Sequence, residues 1–433
     1  MPDTILRQIA EQFGTPCYVY FLDHIVERIT TVRQIFNNHL CISYAMKANP
    51  NRALLRRLAP YVDHLDISSG GELIVAAEAG YDPTLFTFVG PGKADWELRI
   101  AAERNCGQLV VESASEMCRL DQLGDELGKT IPVMLRVNPK KIAKGYGVAM
   151  ATRASQFGID EEELDSALEV VASLKHVRFS GFHIFAGTQC LEADSIVETF
   201  AYSANLFKDY SQRHSLYPSR LIFGSGFGIP YHDRDQPLDL QAVAERSRSV
   251  FNELRVNPYT SGAELSLEMG RFLVGEAGYY LTSVLSKKSS RGREILILDG
   301  GMNHQLGASG NLGNIIKRNY PIYRVTPVLP GDNLAKYDLV GPLCTSIDLM
   351  GRDVELGPMD RGDVIAIGSS GAYGLTASPI YFITHRQPRE LLVETYNNKP
   401  IITDITREGT LVTPPAWPET NSRRGRNISI SLI

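Results

Sequence analysis

CISYAMKANPNRALLRRLAPYVDHLDISSGGELIVAAEAGYDPTLFTFV (41–89) carries three short β-rich runs, CISYAM (41–46), HLDIS (64–68) and LFTFV (85–89). Between them lie RALLRRLAPY and SGGELIVAAEAG, whose apolar residues recur at helical spacing, with Ser or Gly near their starts. Strand, helix, strand in this rhythm implies βα units and a parallel sheet. The rhythm continues outward through QLVVE (108–112), VMLRVN (133–138), FSGFHIF (179–185), RLIFG (220–224) and ELSLE (264–268). Eight such strands over roughly 240 residues match the size of a TIM (β/α)8 barrel. After about residue 275 the texture changes. YYLTSVLSKKS, REILILDGG, DVIAIGSSGAY and YFITH read as strands separated by Gly/Pro turns. The expected architecture is α/β plus β, with a barrel over 24–270 and a β-rich domain over 271–433. The early extended CYVYF (17–21) is expected to join that second domain, so residues 1–23 contribute to it. The tail NSRRGRNISISLI is polar and is assigned to no element.

Composition sets the frame for function. The chain has 433 residues, a net charge of −5 and no basic run of the kind that grips nucleic acid or anionic lipid, so neither is an expected partner. MPDTILRQIAEQFGTP interrupts its apolar residues with Asp3, Arg7, Glu11 and Gln12, unlike a signal peptide. No stretch approaches the roughly 20 apolar residues that span a bilayer. Cys17, Cys41, Cys106, Cys118, Cys190 and Cys344 show neither CxxC nor Cys/His ligand spacing, so no metal and no disulfide framework is expected. Free thiols in a reducing cytoplasm fit this pattern.

Lys47, in SYAMKANPN (43–51), follows the first barrel strand on the face where such barrels hold active sites. Alone it reads as a solvated lysine. Inside a cavity its pKa is expected to fall, which would suit imine formation and later base chemistry. Three phosphate contacts are candidates: the turn Gly-Ser-Gly-Phe-Gly (224–228), Arg271 in LEMGR and Tyr373 in GAYG. A glycine turn after a strand lets backbone N–H groups approach a phosphate, and a guanidinium and a hydroxyl could share the dianion.

AMKANPN, DISSGGEL, FVGPGK, SQFGID, FHIFAGTQ, GSGFGIPY, EMGRFLVGEAG, LDGGM, GPLCTSID and GAYG occur in the order found in the diaminopimelate, ornithine and arginine decarboxylases. The sequence therefore resembles this pyridoxal-phosphate-dependent family, of the alanine racemase-like fold type, along nearly its whole length. The resemblance implies pyridoxal 5'-phosphate carried as an imine on Lys47. Its phosphate would be held by Gly226, Gly228, Arg271, Tyr373 and Thr188. Glu268 would face the pyridine nitrogen and keep it protonated, so that the ring accepts the electron pair released with CO2. Racemases of this fold place an arginine there, so Glu268 points to decarboxylation rather than racemisation. Cys344 would come from the second protomer of a homodimer with shared active sites and help protonate the product. Asp66 and Glu72, in DISSGGEL, would tune Lys47; both could equally serve a helix start.

The departures from the family pattern are specific. Where the family commonly stacks a histidine on the cofactor ring, this sequence has Phe185, with His183 two residues earlier, so either could cover the ring. The acid that pairs with a distal ammonium in diamino-acid decarboxylases is replaced by Thr345, and GGMNHQLGASGNLGNIIKRNYPI (300–322) lacks the arginine pattern that reads a distal carboxylate. That segment resembles the branch acting on glutamyl groups tethered to an acyl-carrier protein, where Lys317 and Arg318 could meet the carrier. The expectation is a cytoplasmic amino-acid decarboxylase acting on a free or carrier-bound amino acid. A racemase of the same fold and a non-catalytic relative are the rivals.

Overall fold

In the computed structural model, which describes residues 2–152, 154–312, 318–325 and 333–409, the first strand, β1 (Cys17–Phe21), lies outside the barrel. The barrel consists of β2 (Cys41–Ala45), β3 (His64–Ile67), β4 (Phe86–Phe88), β5 (Gln108–Val111), β6 (Ile131–Asn138), β7 (Val177–Ile184), β8 (Arg220–Gly224) and β9 (Glu264–Met269). Each pairs in parallel with the next, and β9 pairs back with β2, so the sheet closes with no free edge. The burial of these strands follows from this closure. A parallel strand covered by helices outside and side chains inside is buried on both faces, as β3, β4 and β8 are throughout. All eight expected barrel strands are present.

The second sheet is built from β10 (Gly278–Ser290), β11 (Arg293–Leu298), β12 (Ile322–Arg324), β13 (Ala335–Val340), β14 (Leu349–Leu356), β15 (Val364–Ile367), β16 (Arg389–Tyr396) and β17 (Lys399–Asp404). Its main path runs β14–β13–β11–β10–β1–β16–β17, with β15 bridging β10 and β12. CYVYF does join this sheet, antiparallel to β10 and parallel to β16. YFITH does not: Phe382–Thr384 form a short 3-10 turn, with Ile383 and Thr384 at positive φ. Its composition favours a strand, but Pro379 and Pro388 bracket it and it pairs with no neighbour, so aromatic and branched side chains alone do not make one. The tail from residue 410 lies outside the described residues, as does Lys317. Among the described residues no helix is long and apolar enough to cross a membrane.

At the end of the barrel opposite Lys47, the first residues of four strands meet. Ligand atoms of Cys41, His64 and Glu264 lie within 4.8 Å of one another, a grouping that linear spacing hides. Arg220 enters the same cluster, its guanidinium 2.7 Å from Glu264 and 2.7 Å from His64, so the carboxylate already has its cation.

Glu390 on β16 ties the two domains together. It accepts hydrogen bonds from Tyr20 of β1 (2.9 Å) and from the Asn51 amide at the start of helix Arg52–Leu58 (3.1 Å). Burial pushes its carboxyl from 4.5 up to about 7 against the lowering effect of those two bonds. A folded-state pKa above the unfolded one stabilises at low pH, and that contribution is lost as pH rises from 4.5 through about 7. The loss amounts to roughly 3 kcal/mol. Denaturant unfolding between pH 5 and 8 should show this decline in the native chain and a flatter profile in Glu390→Gln; equal slopes would show that Glu390 does not set it.

Candidate active site

Lys47 sits in a single 3-10 turn, Met46–Ala48, that caps β2. The Tyr44 hydroxyl holds that turn by donating to the Asn49 carbonyl (3.0 Å). The neighbouring strands supply two acids. Register places Asp66 of β3 beside Ala45, and Glu268 of β9 beside Ser43, so both carboxyls flank the lysine from below. Lys47 Nζ is 3.6 Å from Asp66 Oδ2 and 3.8 Å from Glu268 Oε1. The other oxygen of Glu268 meets His183 Nε2 of β7 at 2.8 Å. Asp66, His183 and Glu268 are all buried.

Burial works to raise Glu268, but the His183 hydrogen bond and the Lys47 charge prevail and hold it at about 2. Asp66 moves the other way, raised by burial and by the facing Glu268 charge, so the two acids do not both ionise. Burial lowers His183, which therefore stays neutral and donates from Nε2, leaving Nδ1 without a partner among the described residues. The expected fall in the Lys47 pKa is reversed: burial pulls it down, but Asp66 and Glu268 outweigh that and raise it. Strands distant in sequence bring those charges, and reading the strand end alone could not weigh them. Glu72 is the start of a helix as well as a neighbour: its backbone N–H bonds Ser69 Oγ (3.1 Å) and its carboxylate accepts the Ser68 N–H (2.7 Å), while its charge also reaches Lys47.

The other wall is the turn after β8. Gly226 has φ +65°, and a Cβ there would stand 2.8 Å from the Gly187 carbonyl and 2.5 Å from the Tyr146 ring. Only glycine lets the turn lie against strand Gly187–Cys190, which carries Thr188. Arg271 opens the short helix after β9, donates to the Tyr231 hydroxyl (2.7 Å), and lies 4.8 Å from the Tyr373 ring centre. Its Nε is buried without a partner among the described residues. Tyr373, itself at φ +53°, reaches in from the second domain and donates its N–H to the Ala48 carbonyl (2.9 Å).

Lys47, Phe185, Thr188, Gly226, Glu268, Arg271 and Tyr373 thus line one cavity. The Phe185 ring centre is 5.6 Å from Lys47 Nζ, so Phe185 forms the wall and His183 lies beneath, against Glu268. Gly228 packs behind the wall, where a Cβ would come within 2.9 Å of the Cys190 carbonyl. Cys344 is exposed and, with Thr345, does not line the cavity of its own chain. Arg318 is exposed, 4.0 Å from Asp235. Sequence reasoning missed Ser225, whose N–H and hydroxyl both donate to the Glu268 carbonyl (3.2 and 2.8 Å), and Tyr231; both stand inside GSGFGIPY, but their partners come from another strand.

Residues 22–275 match the family model described as pyridoxal-dependent decarboxylase, pyridoxal binding domain. The chain belongs to the pyridoxal-dependent decarboxylases. Over 390 residues, 89% of this chain and 90% of the relative, this decarboxylase is 33% identical to L-glutamyl-[BtrI acyl-carrier protein] decarboxylase of Niallia circulans. It is 30% identical to 2-[(L-alanin-3-ylcarbamoyl)methyl]-2-hydroxybutanedioate decarboxylase of Staphylococcus aureus, over 89% of this chain and 96% of the relative. Among solved structures, diaminopimelate decarboxylase from M. jannaschii in complex with L-lysine superposes with a TM-score of 0.83 at 26% identity, covering 95% of this chain and 94% of that one. The decarboxylase cavity also fits its cofactor by chemistry. An amine stands beside an ionised carboxylate at one end, and a partnerless guanidinium Nε stands beside a glycine turn at the other.

Proposed function

We propose that the enzyme removes the α-carboxylate of an amino acid whose side chain ends in an acyl linkage, with a glutamyl group on an acyl-carrier protein as the leading candidate. The observation that carries the reaction is Lys47 beside an ionised Glu268 within a cavity closed by Arg271. In this reading Lys47 would hold pyridoxal phosphate, while Arg271, Tyr373, Thr188 and the backbone of Gly226 would hold its phosphate; Gly228, whose N–H already donates to the Cys190 carbonyl (2.8 Å), would shape the turn. Glu268 would keep a negative charge beside the pyridine nitrogen. When bound there, the cofactor supplies the electron sink for the pair left as the Cα–carboxylate bond breaks. Phe185 excludes water from one side of the reacting carbon. A proton then reaches Cα from Cys344 of a second copy or from Lys47.

Residues 24–270 would bind the cofactor, and 271–433 with 1–23 would deliver Tyr373 and the Cys344 loop. A homodimer fits the position of Cys344 away from its own cavity, and a reducing cytoplasm fits the six unpaired cysteines. The substrate side follows from Thr345, a neutral hydroxyl that offers no charge to a distal ammonium. α-Decarboxylation also fixes the tether: the α-amine and α-carboxylate must both be free, so a glutamyl group can be carried only through its γ-carboxyl. The deciding measurement is CO2 release by holoenzyme from glutamyl-loaded carrier protein beside free meso-diaminopimelate, lysine, ornithine, arginine and glutamate. Release from the loaded carrier is expected; comparable turnover of diaminopimelate would overturn the substrate assignment, and a change of optical rotation without CO2 would make the enzyme a racemase.

A further inference from the structure

Three consecutive polar side chains, Asn303, His304 and Gln305, are almost completely buried. His304 is engaged, its Nδ1 3.1 Å from the Tyr280 hydroxyl. The other two are not: both amide atoms of Asn303 and Nε2 of Gln305 are buried with no hydrogen-bond partner among the described residues. A side-chain amide left in that state costs on the order of 1–3 kcal/mol, so its retention calls for an occupant that satisfies it.

The position of Gln305 says what kind of occupant. Tyr320 Oη and Gln305 Oε1 converge on the bare face of Gly307, at 3.0 and 3.4 Å from where a Cβ would stand. The Tyr320 ring is 4.6 Å from that of Tyr231, whose hydroxyl receives Arg271 from the cavity. Tyr320 and Gln305 therefore flank the same glycine, and Tyr320 leads through Tyr231 to the Arg271 wall of the cavity. The same turn is fastened to the Cys344 loop, because Asp348 accepts the Met302 N–H (2.7 Å) with one oxygen and the Leu343 N–H (2.9 Å) with the other.

We propose that Gln305 is a specificity-determining residue whose Nε2 donates to an uncharged carbonyl oxygen of the substrate side chain, beyond the reacting carbon. This rests on the acyl-linked substrate proposed above and names the group that reads it. A neutral amide satisfies a thioester or amide carbonyl but cannot offset a buried carboxylate or ammonium, so it selects the tethered acyl group over free diamino and dicarboxylic acids.

The test compares γ-glutamyl ethylamide, which keeps the distal carbonyl, with 2-aminohexanoate, which lacks it, using cofactor-loaded native enzyme, Gln305→Glu and Gln305→Met. Both substitutions should raise KM for γ-glutamyl ethylamide about tenfold or more, with 2-aminohexanoate changed by less than about twofold. Two substitutions of different polarity guard against one that fails to fold. An equal loss on both substrates would make Gln305 a structural support of the turn, and unchanged KM on both would remove it from recognition; either overturns the inference while leaving the proposed reaction intact. Native enzyme that releases CO2 from diaminopimelate but not from γ-glutamyl ethylamide would overturn both.

Discussion

A Lys47→Ala enzyme should release CO2 at least about 10⁴-fold more slowly than the native enzyme and show no absorbance from a lysine-bound cofactor. Lys47 is the amine that lines the cavity, and its Nζ is the cation shared by Asp66 and Glu268. Its loss removes the covalent anchor and leaves the two acids facing each other. Glu268 then loses one of the influences that hold it ionised, while Asp66 stays raised by burial and by the facing Glu268 charge. Normal turnover by this variant would remove Lys47 from the mechanism. The same variant tests the proposed dimer. Mixed in equal amounts with Cys344→Ala under conditions of subunit exchange, half of the dimers pair one chain of each kind. Each of those has one site with both groups, so activity should return to about a quarter of native. No recovery would show that lysine and cysteine act from the same chain.

The second large effect is expected of Glu268→Gln: a fall in kcat of about 10²–10³ with the cofactor still attached to Lys47. The amide keeps the contact with His183 but loses the charge. Asp66, freed from the facing carboxylate, should ionise more readily and become the counter-ion of Lys47. The predicted signature is a normal cofactor absorbance with slow CO2 release. A variant that keeps activity within about twofold would show that the carboxylate is not needed at that position.

The barrel was legible because CISYAM, RLIFG and ELSLE are short β-rich runs that recur with helix-length amphipathic segments between them, and closure buries most of each strand. The second sheet was only partly legible. YFITH has the composition of a strand, yet no register was available to it, and register is a property of partners rather than of a segment. The site divides in the same way. Lys47, Arg271, Glu268 and Tyr373 could be named from their motifs, and they do line one cavity. What the motifs could not supply is what each side chain meets: two acids that raise the lysine instead of lowering it, Tyr231 under the guanidinium, His183 under Glu268, and the Cys41–His64–Glu264 group with its arginine. The segment 300–322, which holds Gln305, was visible only as one that lacks an expected arginine pattern.

β1 precedes the barrel in sequence, yet its two neighbours, β10 and β16, follow it, with Cys17 beside Leu281 and Arg389. During vectorial synthesis the barrel strands emerge and can pair while β1 still waits, and its five residues, all buried in the finished fold, have no sheet to enter. A nascent chain that stops after the barrel therefore displays an apolar, hydrogen-bond-hungry edge, the kind of surface that chaperones cover and that otherwise drives aggregation. The placement of β1 makes the synthesis of β10 and β16 the condition for hiding it.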